Sequence, residues 1–420
     1  MQKFVTFGEY NVTQHSDAQS KIATSVPFLA ILVAPLGVAG QNIGLGLAML
    51  MFIIFSIRDG GKSLRLSLST PFTRYYLILW ALIIVSIMFA TVARGDSKEA
   101  SRFFFGYTFA CSMVVAGVSL RGQALRRNLL LNLVTILFAL MAIVAVSQFL
   151  LGWKLEGIQI VGQTHRAQGF YSHPLTFAYS VIVLVPWSLA RAMGRPKEWQ
   201  SWVLATSAII IVATSQSITV IVLAAFTCLL LGIKLLQKKT FLITGVLCAL
   251  CFLAVITVPN PIASKFQSVL SGQRGDHETS YPDDRIAFWH AHWEMFKDAP
   301  ITGHGAGLES SDRKPFYEKI GLGQIKRMYE AHNMYLQYAV EGGIVPPLAF
   351  LGFLIWWTVT IKKLLSTEKW HQLALVITPI IFAASGITQN AVQDSEVRYM
   401  LLLMCAASMW FIADCVDSVT

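Results

Sequence analysis

Long apolar runs that carry almost no charge divide this chain, and no other feature constrains its fold more. A run of about 17 or more apolar residues spans roughly 30 Å of hydrocarbon as a helix, which satisfies its own backbone polar groups where water cannot. About twelve such runs are expected, at approximately 22–39, 41–57, 75–93, 103–120, 129–151, 176–192, 201–214, 218–235, 241–258, 344–361, 373–389 and 399–415. Hydrophobic residues make up 55% of the sequence and charged residues 13%, with a mean hydropathy of +0.58, which excludes a soluble globular domain. The chain reads as an all-α polytopic membrane protein.

Basic residues set the expected orientation, because lysine and arginine close to the membrane are retained on the cytoplasmic side. With both termini inside, the cytoplasmic connections hold clusters such as Arg58, Lys62, Arg65 and Arg74, then Arg121, Arg126 and Arg127, then Lys234, Lys238 and Lys239. The opposite short connections hold only Arg94, Lys98, Arg102, Lys154, Arg166 and Arg398. The net charge of +10 is thus a topological signal and an attraction to anionic lipid, and nucleic acid is not a required partner. The first twenty residues lack a secretory signal pattern, so the first span is expected to act as an uncleaved anchor. All six cysteines fall in or beside apolar runs, which implies no disulfide framework.

These spans divide the chain into a bundle of helices 1–9 over 1–258, a large outward loop over 259–343, and helices 10–12 over 344–420. Loops of that length are usually functional. Within it, "DDRIAFWHAHWEMFKDAP" predicts a helix capped by Asp283 or Asp284 and stopped by Pro300, with Ile286, Trp289, Trp293 and Phe296 as an apolar stripe. From Tyr329 the spacing predicts a second helix as far as Gly342-Gly343, placing His332 beside Leu336, and Asn333 in line with Gln337 and Glu341. A second outward loop carries Arg166, Gln168, Gly169 and His173, and a third is the short turn "TSQSIT".

Zinc is a poor reading of the outward histidines, because His290 and His292 are two apart on a helix and point about 200° from each other. No metal or other cofactor is expected. Arg166 and Arg285 lie instead among glycines, aromatics and histidines, and a guanidinium grips phosphate through paired hydrogen bonds that strengthen near a low-dielectric surface. Two arginines and a histidine at one surface point to diphosphate chemistry.

"AHNMYLQYAVEGGIVP" resembles the His-Asn signature of the O-antigen ligase and polymerase superfamily, in which HN is followed by an amphipathic helix and a glycine-rich turn into a span. "RIAFWHAHWEMFKDAPITGHGAGL" and "HRAQGFYSHPLTFA" are similar to that family's arginine-led helix and its Arg-x-x-Gly-Phe loop. The sequence departs from the family at Ser215-Gln216-Ser217, where members often carry Ser-Arg-Gly. Arg166 is the first choice to supply the missing charge, with Arg327, Arg313 and Lys319 in reserve.

The resemblance implies a GT-C-like glycosyltransferase of the bacterial inner membrane, with its active site at the periplasmic face. Its implied reaction moves a glycan from undecaprenyl diphosphate to a sugar hydroxyl of lipid A-core, with inversion and without a metal. On this reading His332 is the catalytic base, histidine being the side chain that exchanges protons near neutral pH. Arg166, Arg285, Asn333, Gln168, Gln216 and Arg327 are the expected substrate-binding residues. The alternatives are an O-antigen polymerase or protein O-oligosaccharyltransferase of the same superfamily and, in another class, a lipid-linked oligosaccharide flippase. Spans nearly free of ionisable residues argue against the flippase.

Overall fold

The computed structural model describes residues 71–118, 124–153, 166–235, 284–325, 328–364 and 369–417, with scattered positions between 43 and 68. The expected spans at 22–39 and 241–258, part of that at 41–57, and Arg327 lie outside the described residues.

Helices alone form the regular structure among these residues. They are α1 (Pro71–Ala93), α2 (Ser97–Val118), α3 (Ala124–Leu151), α4 (Pro174–Ile182), α5 (Val185–Gly194), α6 (Trp199–Thr214), α7 (Ile218–Leu235), α8 (Asp284–Asp298), α9 (Ser310–Lys319), α10 (Met334–Gly342), α11 (Val345–Leu364), α12 (Lys369–Ser385) and α13 (Ser395–Asp417). Among the described residues, four segments are long and apolar enough to cross a membrane: Thr73–Ala93, Leu131–Leu151, Ile218–Leu235 and Val345–Lys362. A fifth span results if α4 and α5, bent by 44° around Pro186, count as one. Proline lacks the N–H that would continue the helical ladder, so the expected run at 176–192 is broken rather than straight.

Helix α1 packs on α2 and α11, α13 on α2 and α4, and α12 on α5 and α11. Their shared core is aromatic: Trp80 meets Phe350 edge-on at 6.0 Å and Phe353 at 5.7 Å, with Tyr76, Tyr107 and Trp357 beside them. Between helices in lipid, such close packing supplies cohesion that hydrophobicity alone does not.

Three elements sit over one end of this bundle. Helix α8 turns Ala287, Phe288, Ala291 and Met295 inward, leaving Trp293 half exposed. The expected stripe of Ile286, Trp289, Trp293 and Phe296 is therefore not the packed face; the two alanines let α9 and α10 approach more closely. Helix α10 begins at Met334 and not near Tyr329, because His332 has φ +46° and Asn333 is extended. The chain leaves α10 through Gly343, whose φ of +73° and ψ of −160° suit glycine alone. A Cβ there would stand 2.1 Å from the Ile301 carbonyl oxygen, beside the bond from Ile344 N–H to Pro300 C=O. Strain and overpacking together are expected to cost Gly343→Ala about 3 kcal/mol or more. A thermal melt of the variant that stays within 1 °C of the parent would contradict this packing.

Candidate functional site

The Arg166 loop is built around Gln148, a buried carboxamide near the end of apolar α3. Its Oε1 accepts from the N–H groups of Gln168 and Gly169, and its Nε2 donates to the Gly169 carbonyl. Gly169, at φ +58°, lies so close to Phe177 that a Cβ would fall 2.8 Å from its ring. The loop is thereby fixed against the turn between α6 and α7: Ala167 N–H donates to Thr214 C=O, and Arg166 Nε donates to Ser215 C=O at 2.9 Å. Burial lowers the pKa of Arg166, which sits beside the Ser215-Gln216-Ser217 turn where the expected family arginine is missing. Gln216 adopts φ +53° and is itself buried.

Arg285 reaches the same place from the first turn of α8. Its charge acts on the Tyr179 hydroxyl, which lies among the hydroxyls of Ser217, Thr219 and Thr388. One helical turn on, Phe288 packs against the His332 ring at 5.9 Å, and Tyr329 flanks that ring at 6.2 Å. The structure thus gathers Arg166, Gln168, Gln216, Arg285 and His332 at one end of the bundle.

Asn333 caps α10, its Oδ1 accepting from Leu336 N–H at 3.0 Å. That cap leaves the two Nδ2 donors of the carboxamide uninvolved. Met334 N–H then donates to Gly386 C=O, tying the His-Asn pair to the end of α12. The reserve cations are engaged elsewhere: Arg313 donates to Met328 C=O, and Lys319 pairs with Glu294 at 2.7 Å. His292 is buried with its Nδ1–H donating to Phe288 C=O at 2.8 Å, and burial pushes its pKa down to about 3, whereas His290 is exposed. The two side chains diverge as their spacing implies. A cavity of about 410 Å³ lies toward the other end of α8, lined by Arg94, Met295 and His304 among others, and shares no residue with this cluster.

The sequence reading missed the connection between α12 and α13. Thr388 bonds the Tyr179 hydroxyl at 3.2 Å, Asn390 Nδ2 donates to Glu330, and Asp394 accepts from Thr176 at 2.9 Å. Gln393 Nε2 donates to Glu341 Oε1, as does Gln337 Nε2 at 2.8 Å. The signal was present, since 388–394 is crowded with amides and hydroxyls between two apolar runs. Arg398, expected in an outward connection, is instead buried on α13 with its guanidinium 4.1 Å over the Tyr107 ring.

Burial pushes the Glu341 carboxyl up to about 8 from 4.5, with bonds from Gln337 and Gln393 opposing, and likewise raises Asp394 to about 6. A carboxyl whose folded pKa is raised favours the folded state most below its unfolded pKa and progressively less as pH climbs toward its folded one. Between pH 5 and pH 8, Glu341→Gln is therefore expected to gain several degrees in melting temperature relative to the parent. Parallel melting profiles for the two proteins would show that Glu341 is not a buried titrating acid.

A helical bundle with membrane-capable helices and a polar, arginine-bearing cluster at one end defines a polytopic membrane protein. Residues 202–354 match the Wzy_C family, O-Antigen ligase. This match covers a little over a third of the chain and includes Gln216, Arg285, His332 and Asn333. Over these residues the chain is similar to the O-antigen ligase and polymerase superfamily. No curated protein matches the chain.

Proposed function

We propose that this protein is an O-antigen ligase that moves a glycan from undecaprenyl diphosphate to a sugar hydroxyl of lipid A-core at the periplasmic face of the inner membrane. The observation that carries this reading is the convergence of Arg285, Arg166 and His332 from three separate segments. An imidazole nitrogen of His332 takes the acceptor hydroxyl proton while the oxygen bonds to the anomeric carbon of the donor sugar. The bond from that carbon to the phosphate oxygen breaks, and undecaprenyl diphosphate departs with the negative charge. Arg166 and Arg285 neutralise that charge, the role many glycosyltransferases give to a metal. Asn333, Gln168 and Gln216 orient the sugar and phosphate groups, and Arg327 lies within reach in sequence of His332. One displacement inverts the anomeric centre. Both substrates are held in one bilayer, which lowers the entropic cost of their encounter. The architecture on this reading is GT-C-like with about twelve spans, 259–343 forming the periplasmic loop.

Purified protein given a defined undecaprenyl diphosphate glycan and lipid A-core, with chelator present, is expected to glycosylate the lipid A-core. Lengthened lipid-linked glycan, formed without acceptor, assigns the chain to the polymerases. Movement of labelled lipid across the bilayer without either product assigns it to the flippases.

A further inference from the structure

His332 stands in a backbone conformation that a β-carbon disfavours, and the residue before it is held by a side chain with no other evident task. Ala331 N–H donates to Gln337 Oε1 at 3.1 Å, Gln337 Nε2 donates to Glu341 Oε1 at 2.8 Å, and Gln393 Nε2 donates to the same oxygen. Glu330 accepts from Asn390 Nδ2 at 3.1 Å, and Gln393 N–H donates to Asn390 C=O. A closed ring of hydrogen bonds thus runs from Ala331 through α10 to the α12–α13 connection and back to Glu330. On the far side, Met334 N–H is fixed to Gly386 C=O.

This ring is not needed to build α10. Asn333 already caps that helix, and Gln337 and Glu341 are each only 2% exposed, where leucine would pack without desolvating a polar group. Glu341 Oε2 is moreover buried with no hydrogen-bond partner among the described residues. A chain that keeps a costly carboxyl and two carboxamides in its interior gains something other than cohesion. What they touch is the backbone that enters His332.

We propose that Gln337 and Glu341 are positioning residues, which hold His332 in its left-handed conformation between Phe288 and Tyr329 through the N–H of Ala331. Gln393 ties them to the α12–α13 connection. This inference rests on the reading of His332 as the reacting base. A side chain displaced by about 1 Å from its productive geometry loses as much as 100-fold in rate without losing its ligand. The effect of breaking the ring therefore falls on turnover and not on donor binding.

The test compares Gln337→Leu, Glu341→Leu and Glu341→Gln in the transfer assay, together with the rate at which diethyl pyrocarbonate modifies His332, read by peptide mass spectrometry against exposed His290. Both leucine variants are expected to lose about 10- to 100-fold in kcat, with KM for the donor changed by less than about threefold. Glu341→Gln keeps an Oε1 acceptor for Gln337 and Gln393 and is expected to stay within about threefold of the parent. Modification of His332 is expected to change by about threefold or more in the leucine variants and not in Glu341→Gln. If Gln337→Leu does not fold, Gln337→Asn, one methylene too short to bridge Ala331 and Glu341, carries the same expectation.

Unchanged kcat and unchanged His332 modification in a folded Gln337 variant overturn the proposal while leaving the proposed function intact. So does an equal loss in Glu341→Gln and Glu341→Leu, since the acceptor oxygen is then not what matters. A parent protein without transferase activity overturns the proposed function instead, and the modification rates then decide the positioning claim alone.

Discussion

Replacing His332 with asparagine is expected to lower kcat for glycan transfer by about 1,000-fold while donor binding survives, within the range that a positioned general base contributes. Asparagine is the informative choice because it tolerates positive φ better than other non-glycine residues, so the backbone at φ +46° stays unstrained. Alanine removes the base and adds strain at the same position, which confounds the two effects. If His332→Asn keeps more than a tenth of parental kcat, the base lies elsewhere. A drop in melting temperature beyond a few degrees would instead show that the imidazole is chiefly a packing element between Phe288 and Tyr329.

The second large effect is expected at the arginines. Arg285→Lys keeps the charge but loses the planar fork, and is expected to cost about 10- to 100-fold in kcat/KM if that fork holds a phosphate. Arg166→Ala is expected to cost about 100-fold, comparable to the loss of one preorganised donor from an anionic transition state. Arg166 lies against the Ser215-Gln216-Ser217 turn, so on the proposed reading the two positions are alternative sources of one charge. Gln216→Arg in the Arg166→Ala background is therefore expected to restore at least fivefold, the vacated space admitting the longer side chain. Arg166→Ala with full activity removes the account of how this chain manages with glutamine at 216. Arg285→Lys with full activity removes paired hydrogen bonding but leaves a point charge.

Much of this arrangement is legible in sequence because the membrane simplifies the problem. The helices at 71–93, 218–235 and 345–364 follow from apolar length alone, and Arg166, Arg285 and His332 stand out as polar residues where polar residues are costly. Helical periodicity misled at 329–333, because a continuous pattern does not reveal that Asn333 caps a helix and that His332 is left-handed before it. The stripe on α8 was misread for a related reason. Periodicity finds the aromatic face, but packing against Tyr317 of α9 and the segment after it selects the face carrying Ala287 and Ala291. Gln148 acts on Gly169 and Gln393 on Glu341, partners distant in sequence that only the fold brings together.

The central claim is that an acceptor hydroxyl, deprotonated by His332, displaces a lipid diphosphate in a single step. The anomeric configuration of the bond formed tests it most directly. NMR of the product made from a donor of defined anomer is expected to show complete inversion. Retention of configuration requires a second displacement through a covalent intermediate, and would contradict the account.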